Sequence, residues 1–172
     1  YLRTLQAEAE LDLVLVCDAQ RRSVIQPGTF PTDILCTVSP PTGFALVQAD
    51  PAPQIWLFAT HPIQILDKQG QNGFQGQVLA GLHLDDGFVA QMQAQTGLDH
   101  TLLVNQRPVA SSLPGPLKPS QRGQTTRLVP LEENKGVTFD WHGSYYYGIQ
   151  FPLDSSGLMA QVWLMRSLPR PG

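Results

Sequence analysis

The feature that most constrains this chain is that part of it occurs twice. LDLVLVCDAQRRSVIQPG, Leu11 to Gly28, aligns without a gap on LDHTLLVNQRPVASSLPG, Leu98 to Gly115. A segment repeated over such a separation points to two copies of one supersecondary unit, each with its own small core. Both copies read as strand, polar turn, return strand. In the first, Val14 to Cys17 is a β-branched apolar run, Asp18-Ala19-Gln20 the turn and Ser23 to Gln26 the return. In the second, Leu102 to Val104, Asn105-Gln106 and Val109 to Ser112 take those parts.

A helix precedes each copy. Asp85 is a good N-cap, Asp86 favours the positive end of the helix dipole, and Leu84, Phe88, Val89 and Met92 fall on one face before Gly97 closes the helix in the left-handed conformation. Tyr1 to about Glu10 places Leu2, Leu5 and Ala9 at helical spacing but offers no N-cap, as a piece cut from a longer helix would. The later parts of the halves correspond more loosely. Gly43 to Leu46, Ile55 to Pro62-Ile63 and Gly76 to Leu84 parallel Gly136 to Phe139, Tyr145 to Pro152-Leu153 and Gly157 to Leu164. Gly70, Gly73 and Gly76 read as a flexible connection, and Leu113 to Gln124 as a Pro- and Ser-rich bridge inside the second half. Along 145–153 the large apolar groups Tyr145, Tyr147, Ile149, Phe151 and Leu153 share a face, which predicts an antiparallel sheet covered on that side. The expected class is α+β, with two lobes, 1–84 and 85–172, each an antiparallel sheet with a flanking helix.

Composition narrows the function. Only 15% of the residues are charged and the net charge is -3, against about 25% charged in ordinary globular chains. Three lysines, Lys68, Lys118 and Lys135, make no basic stripe, which argues against nucleic-acid binding. Apolar runs such as Leu13 to Cys17 and Ile55 to Ala59 are far below the roughly 18 residues that span a bilayer, so no membrane insertion is expected. Cys17 and Cys36 lack metal-ligand spacing and are either buried thiols or one disulfide.

The candidate chemistry is sparse. His83 with Asp85 and Asp86 resembles a ligand cluster, but helix capping accounts for both aspartates. His61 is expected at a strand end, His100 at a strand start and His142 in a turn, with no shared ligand spacing, so no metal is expected. Asp154-Ser155-Ser156-Gly157 is a turn and not a nucleophile elbow, so no catalytic residue is assigned. Aromatic residues remain. Trp56 and Phe58 share one face of a strand expected to end at Thr60-His61, while Ile55, Leu57 and Ala59 share the other. A strand apolar on both faces fits a core layer on each side, or a ligand pocket on the aromatic side with Thr60 or His61 as its polar partner. Trp141, Tyr145 and Tyr147 pose the same choice in the second half.

Taken in order, the N-terminal helix, LVLVCDAQRRSVIQ, FATHPI, GQVLAGLHLDDGFVAQMQAQTGLDHTLLVNQRPVASS and YYYGIQFPLDSSGLMAQVWLM resemble the extracytoplasmic Cache and CHASE-type sensor domains of bacterial histidine kinases, diguanylate cyclases and chemoreceptors. The resemblance covers nearly the whole chain. It implies two PAS-like lobes stacked along the N-terminal helix, the first membrane-distal and holding a small-molecule ligand, the second membrane-proximal. It also implies an extracytoplasmic location, homodimerisation in the full-length protein, and no catalysis or cofactor in this part. No residue matches the Tyr, Trp, Arg and Asp pattern by which some Cache lobes hold amino acids, so the resemblance leaves the ligand class open. The competing reading is a periplasmic protein-interaction or dimerisation module without a small-molecule ligand.

Overall fold

The computed structural model describes residues 2–25, 35–37, 42–49, 52–66, 72–105, 107–113, 136–141, 144–153 and 160–169. The chain divides into two compact units, Tyr1–Ala45 with Trp56–His83 and Leu46–Ile55 with Leu84–Gly172. Among the described residues the sheets are mostly antiparallel, helices are few, and no helix is long and apolar enough to cross a membrane.

In chain order the first half runs α1 (Leu2–Glu8), β1 (Leu13–Asp18), β2 (Ser23–Ile25), β3 (Gly43–Val47), β4 (Gln54–Leu66) and β5 (Asn72–His83). The second runs α2 (Asp86–Thr96), β6 (Asp99–Val104), β7 (Arg107–Ser111), β8 (Val137–Trp141), β9 (Ser144–Pro152) and β10 (Ala160–Leu168). The sheet orders are β2-β1-β5-β4-β3 and β7-β6-β10-β9-β8, so the second repeats the first strand for strand. The repeat read from the sequence is therefore a repeat of topology. Register supports the ungapped alignment at its centre, since Leu15 lies opposite Leu79 and its counterpart Leu102 opposite Val162.

Local chemistry explains the helix ends. Asp85 is the N-cap of α2, its carboxylate accepting the Phe88 N–H at 3.0 Å, and Gly97 closes the helix with φ 70°. Asp86 does more than face the dipole, because its carboxylate accepts the Ser111 N–H at 3.0 Å and ties α2 to β7. Helix α1 ends in a Schellman motif. Glu10 takes the left-handed position with φ 51°, its N–H reaches Ala7 C=O, and the Leu11 N–H reaches Gln6 C=O.

Three expectations are corrected. The glycine-rich stretch before Gly76 is not all connection, because β5 already begins at Asn72. The strand bearing Trp56 does not stop at Thr60-His61. It continues through Pro62 to Leu66, with a bulge between Ile63 and Gln64 that accommodates the proline in the ladder. On β9 the covered face is the opposite of the one expected. Tyr146 and Gly148 are buried whereas Tyr147 is 43% exposed. Gly148 lies opposite Met165 on this side, where Leu103, Leu113, Tyr146, Trp163 and Met165 form one buried cluster. Asp154-Ser155-Ser156-Gly157, His142 and the bridge beyond Leu113 lie outside the described residues.

Cys17 and Cys36 are bonded to each other, their Cα atoms 5.6 Å apart and 19 residues apart in sequence. Cross-linking a loop of that length removes unfolded-state entropy, a gain of about 3 kcal/mol in the chain-entropy account. The variant Cys17→Ala/Cys36→Ala is expected to lose about that much in denaturant unfolding, and reductant to have little further effect on it.

Candidate functional site

The site follows from the register of the first sheet. Residues opposite one another in an antiparallel pair share a face, which assembles three cross-strand rows: Leu13-Gly81-Phe58, Leu15-Leu79-Thr60 and Cys17-Gln77-Pro62, with the pair Trp56-His83 alongside. Leu13, Leu15, Cys17, Trp56, Phe58 and Leu79 on this face are all buried. The opposite face carries Val14, Val16, Leu57, Ala59, His61 and Val78, and here Leu57, Ala59 and His61 are exposed. Ile55 and Val14 are nevertheless buried on this second side, so the strand is closed over Trp56 and Phe58 on its aromatic side and only in part on the other.

On the buried side the aromatic rings form a column. Trp56 stacks on Phe58 with centroids 5.7 Å apart and planes 6° apart, and on His83 at 4.9 Å and 15°. Gly81 makes the column possible. A Cβ at that position would lie 2.9 Å from Phe58 Cε1 and 3.2 Å from Trp56 Cε3, so both rings rest against bare backbone. Overpacking at such a point costs about 1–3 kcal/mol. Gly81→Ala is expected to destabilise the first sheet by that amount in urea unfolding and to quench or shift Trp56 fluorescence.

One end of this face is tied covalently to the β2–β3 connection. Cys17 points to the same side as Leu13 and Leu15, so its bond to Cys36 holds the helical residues 35–37 on that side of the sheet, at the Cys17-Gln77-Pro62 row. Leu35 and Cys36 are buried there. A second tie comes from the β1–β2 turn, where Arg21, at φ 60°, donates from Nη1 to Thr37 C=O at 3.3 Å. The turn itself is braced by Asp18, whose carboxylate accepts the Arg22 N–H at 2.8 Å and pairs with the Arg22 guanidinium at 2.9 Å. The Arg22 N–H bond, foremost, holds the Asp18 carboxyl below its ordinary value.

Of the four residues expected at the site, the structure gathers Trp56, Phe58 and Thr60 on one face and puts His61, exposed, on the other. Alternation along the strand is the reason. Thr60 is half-buried, and its N–H is bonded to Thr42 Oγ1 at 3.2 Å. His83 was missed as a member of this group. Its neighbours Asp85 and Asp86 drew the sequence argument toward capping, and only the β4–β5 register reveals that it faces Trp56. Gln77, half-buried in the row of Cys17, was missed likewise.

The equivalent face of the second sheet is built differently. Carrying the register across, Tyr147 and Arg166 stand where Trp56 and His83 stand in the first, and both are exposed. The other side of the second sheet holds the Tyr146 cluster, with Thr101 Oγ1 and Ser111 Oγ hydrogen-bonded at 2.7 Å beside it. Burial, with the Asp99 carboxylate adding to it, pushes the Tyr146 phenol above its ordinary value of 10.0. The folded chain therefore keeps this proton where the unfolded chain has released it. Its contribution is intact below about pH 10 and is lost as pH rises through the raised folded value. Urea unfolding between about pH 9 and 11 should show a decline in stability that Tyr146→Phe reduces. Among the described residues no group of His, Cys, Asp and Glu side chains is placed to hold a metal ion.

No protein-family model matches the chain, and no curated protein is similar to it in sequence. Solved structures are similar in fold. The periplasmic domain of Vibrio cholerae LuxQ superposes with a TM-score of 0.60 at 14% identity, over 97% of this chain and 78% of that one. The ligand-binding domain of the Pseudomonas aeruginosa PAO1 amino acid chemoreceptor PctB, solved with L-Arg, superposes with a TM-score of 0.51 at 15% identity, over 96% of this chain and 78% of that one. With its twofold β2-β1-β5-β4-β3 topology, the chain has the fold of these periplasmic and ligand-binding sensor domains, the fold that the Cache-type resemblance of its sequence implies.

Proposed function

We propose that this chain is the extracytoplasmic ligand-sensing part of a membrane-bound bacterial signal transducer, a sensor histidine kinase, with no catalysis of its own. The observation that carries this reading is the covered aromatic face of the first sheet. It is a column of His83, Trp56 and Phe58, with Thr60 and Gln77 as polar members of the same face, and Cys17–Cys36 ties a further segment to the far end of that face. A flat apolar wall with a few fixed polar groups is how proteins hold small, partly apolar molecules. Disulfides persist in oxidising compartments, which favours a location outside the cytoplasm. The fold shared with periplasmic sensor domains favours it independently.

On this reading residues 1–84 form the membrane-distal PAS-like lobe that takes the ligand, and residues 85–172 the membrane-proximal lobe. Both stack along the N-terminal helix, and the full-length protein is a homodimer. Binding acts by stabilising one of two arrangements, and it can shift them only by as much as the ligand's affinities differ between the two.

A thermal-shift screen of small metabolites against the purified chain tests the proposal. A true ligand at 100 times its Kd stabilises the chain by about 2.7 kcal/mol, and Trp56→Ala should abolish the shift without unfolding the second sheet. Should every compound leave the melting temperature unmoved while a periplasmic protein partner raises it, the chain would instead be an interaction module.

A further inference from the structure

Among the described residues, Asp12 links the aromatic column to the N-terminal helix. We infer that Asp12 is the positioning residue that couples the aromatic face to α1. Asp12 holds β5 at two points. Its backbone N–H donates to Gly81 C=O at 3.1 Å, and its carboxylate accepts the His83 N–H at 2.7 Å. These two points bracket the column, because Trp56 and Phe58 rest on Gly81 and Trp56 stacks on His83. Toward the helix, Asp12 C=O accepts Gln6 Nε2 at 3.0 Å. Gln6 in turn supplies the carbonyl that takes the Leu11 N–H in the Schellman motif ending α1. A displacement of either ring thus moves a β5 peptide held by Asp12, and Asp12 is bonded to the last turn of the helix.

The second copy of the repeat shows that the fold does not require this link. Asp99 occupies the position of Asp12, yet its carboxylate accepts from Ser112 Oγ at 3.3 Å, just past the end of β7 on the other side of β6. The topology is the same and the carboxylate is the same, but the strand it serves is different. The bond to β5 is particular to the half that carries the aromatic column. A short bond from an ionised acceptor to a backbone N–H is among the stronger hydrogen bonds available.

The inference rests on the reading of the aromatic face as the sensing face, but its test needs no ligand. Hydrogen exchange is measured at the Glu10 and Leu11 N–H groups, which report the joint, and at Leu103, which reports the second sheet. Trp56→Phe, which trims the column and keeps an aromatic ring, is expected to speed exchange at Glu10 and Leu11 about tenfold while leaving Leu103 unchanged. In the Asp12→Ala background the same substitution should add less than twofold. Asp12→Asn, which keeps an acceptor without the charge, should restore part of the effect. The inference is overturned if Trp56→Phe speeds the joint equally with and without Asp12, or leaves the joint unchanged while Leu13 and Leu15 respond. Either outcome leaves the metabolite screen to decide on its own whether the face binds a ligand.

Discussion

A five-stranded sheet has two faces to account for, and in the first half of this chain a single covalent bond ties the β2–β3 connection to one of them. The rows across β1, β5 and β4 put Leu13, Leu15, Leu79, Phe58 and Trp56 on one side, more apolar surface than a short helix such as α1 could hide. Cys17–Cys36 holds residues 35–37 over that side. A small sheet gains disproportionately from such a staple because its core alone leaves little margin.

The two halves show how one topology supports different interiors. In the second sheet β6 is buried from His100 to Val104, on both its faces, and the aromatic cluster sits on the Tyr146 side. The face equivalent to the aromatic column exposes Tyr147 and Arg166. Strand order and central register were retained while the side on which the large rings are packed was exchanged. Such divergence is what a duplicated unit allows, since each copy is free once the other performs the task.

Much of this was legible in the residues. The paired hairpins, both helices, the Asp85 and Gly97 caps and the grouping of Trp56 with Phe58 follow from local pattern, and local pattern is what short-range sterics and capping chemistry control. The misjudged points depend on contacts between segments distant in sequence. The covered side of β9 could not be read from the size of Tyr145, Tyr147, Ile149 and Phe151, because the cluster that buries Tyr146 is assembled from Leu103, Leu113, Trp163 and Met165, on other segments of the chain. His61 looked suitable by nearness along the chain, whereas His83, far along the chain, arrives by strand pairing. Cys17 and Cys36 could be read either way, since no periodic pattern between them revealed where Cys36 would be delivered.

The disulfide also gives the aromatic face a history. In reducing surroundings the hairpins and sheets can form from their own hydrogen bonds, but nothing covalent holds residues 35–37 to β1. That segment is fixed on the Cys17 side of the sheet only where an oxidant joins the two sulfurs, so the last covalent step in building the first half is taken under oxidising conditions and not during the pairing of its strands.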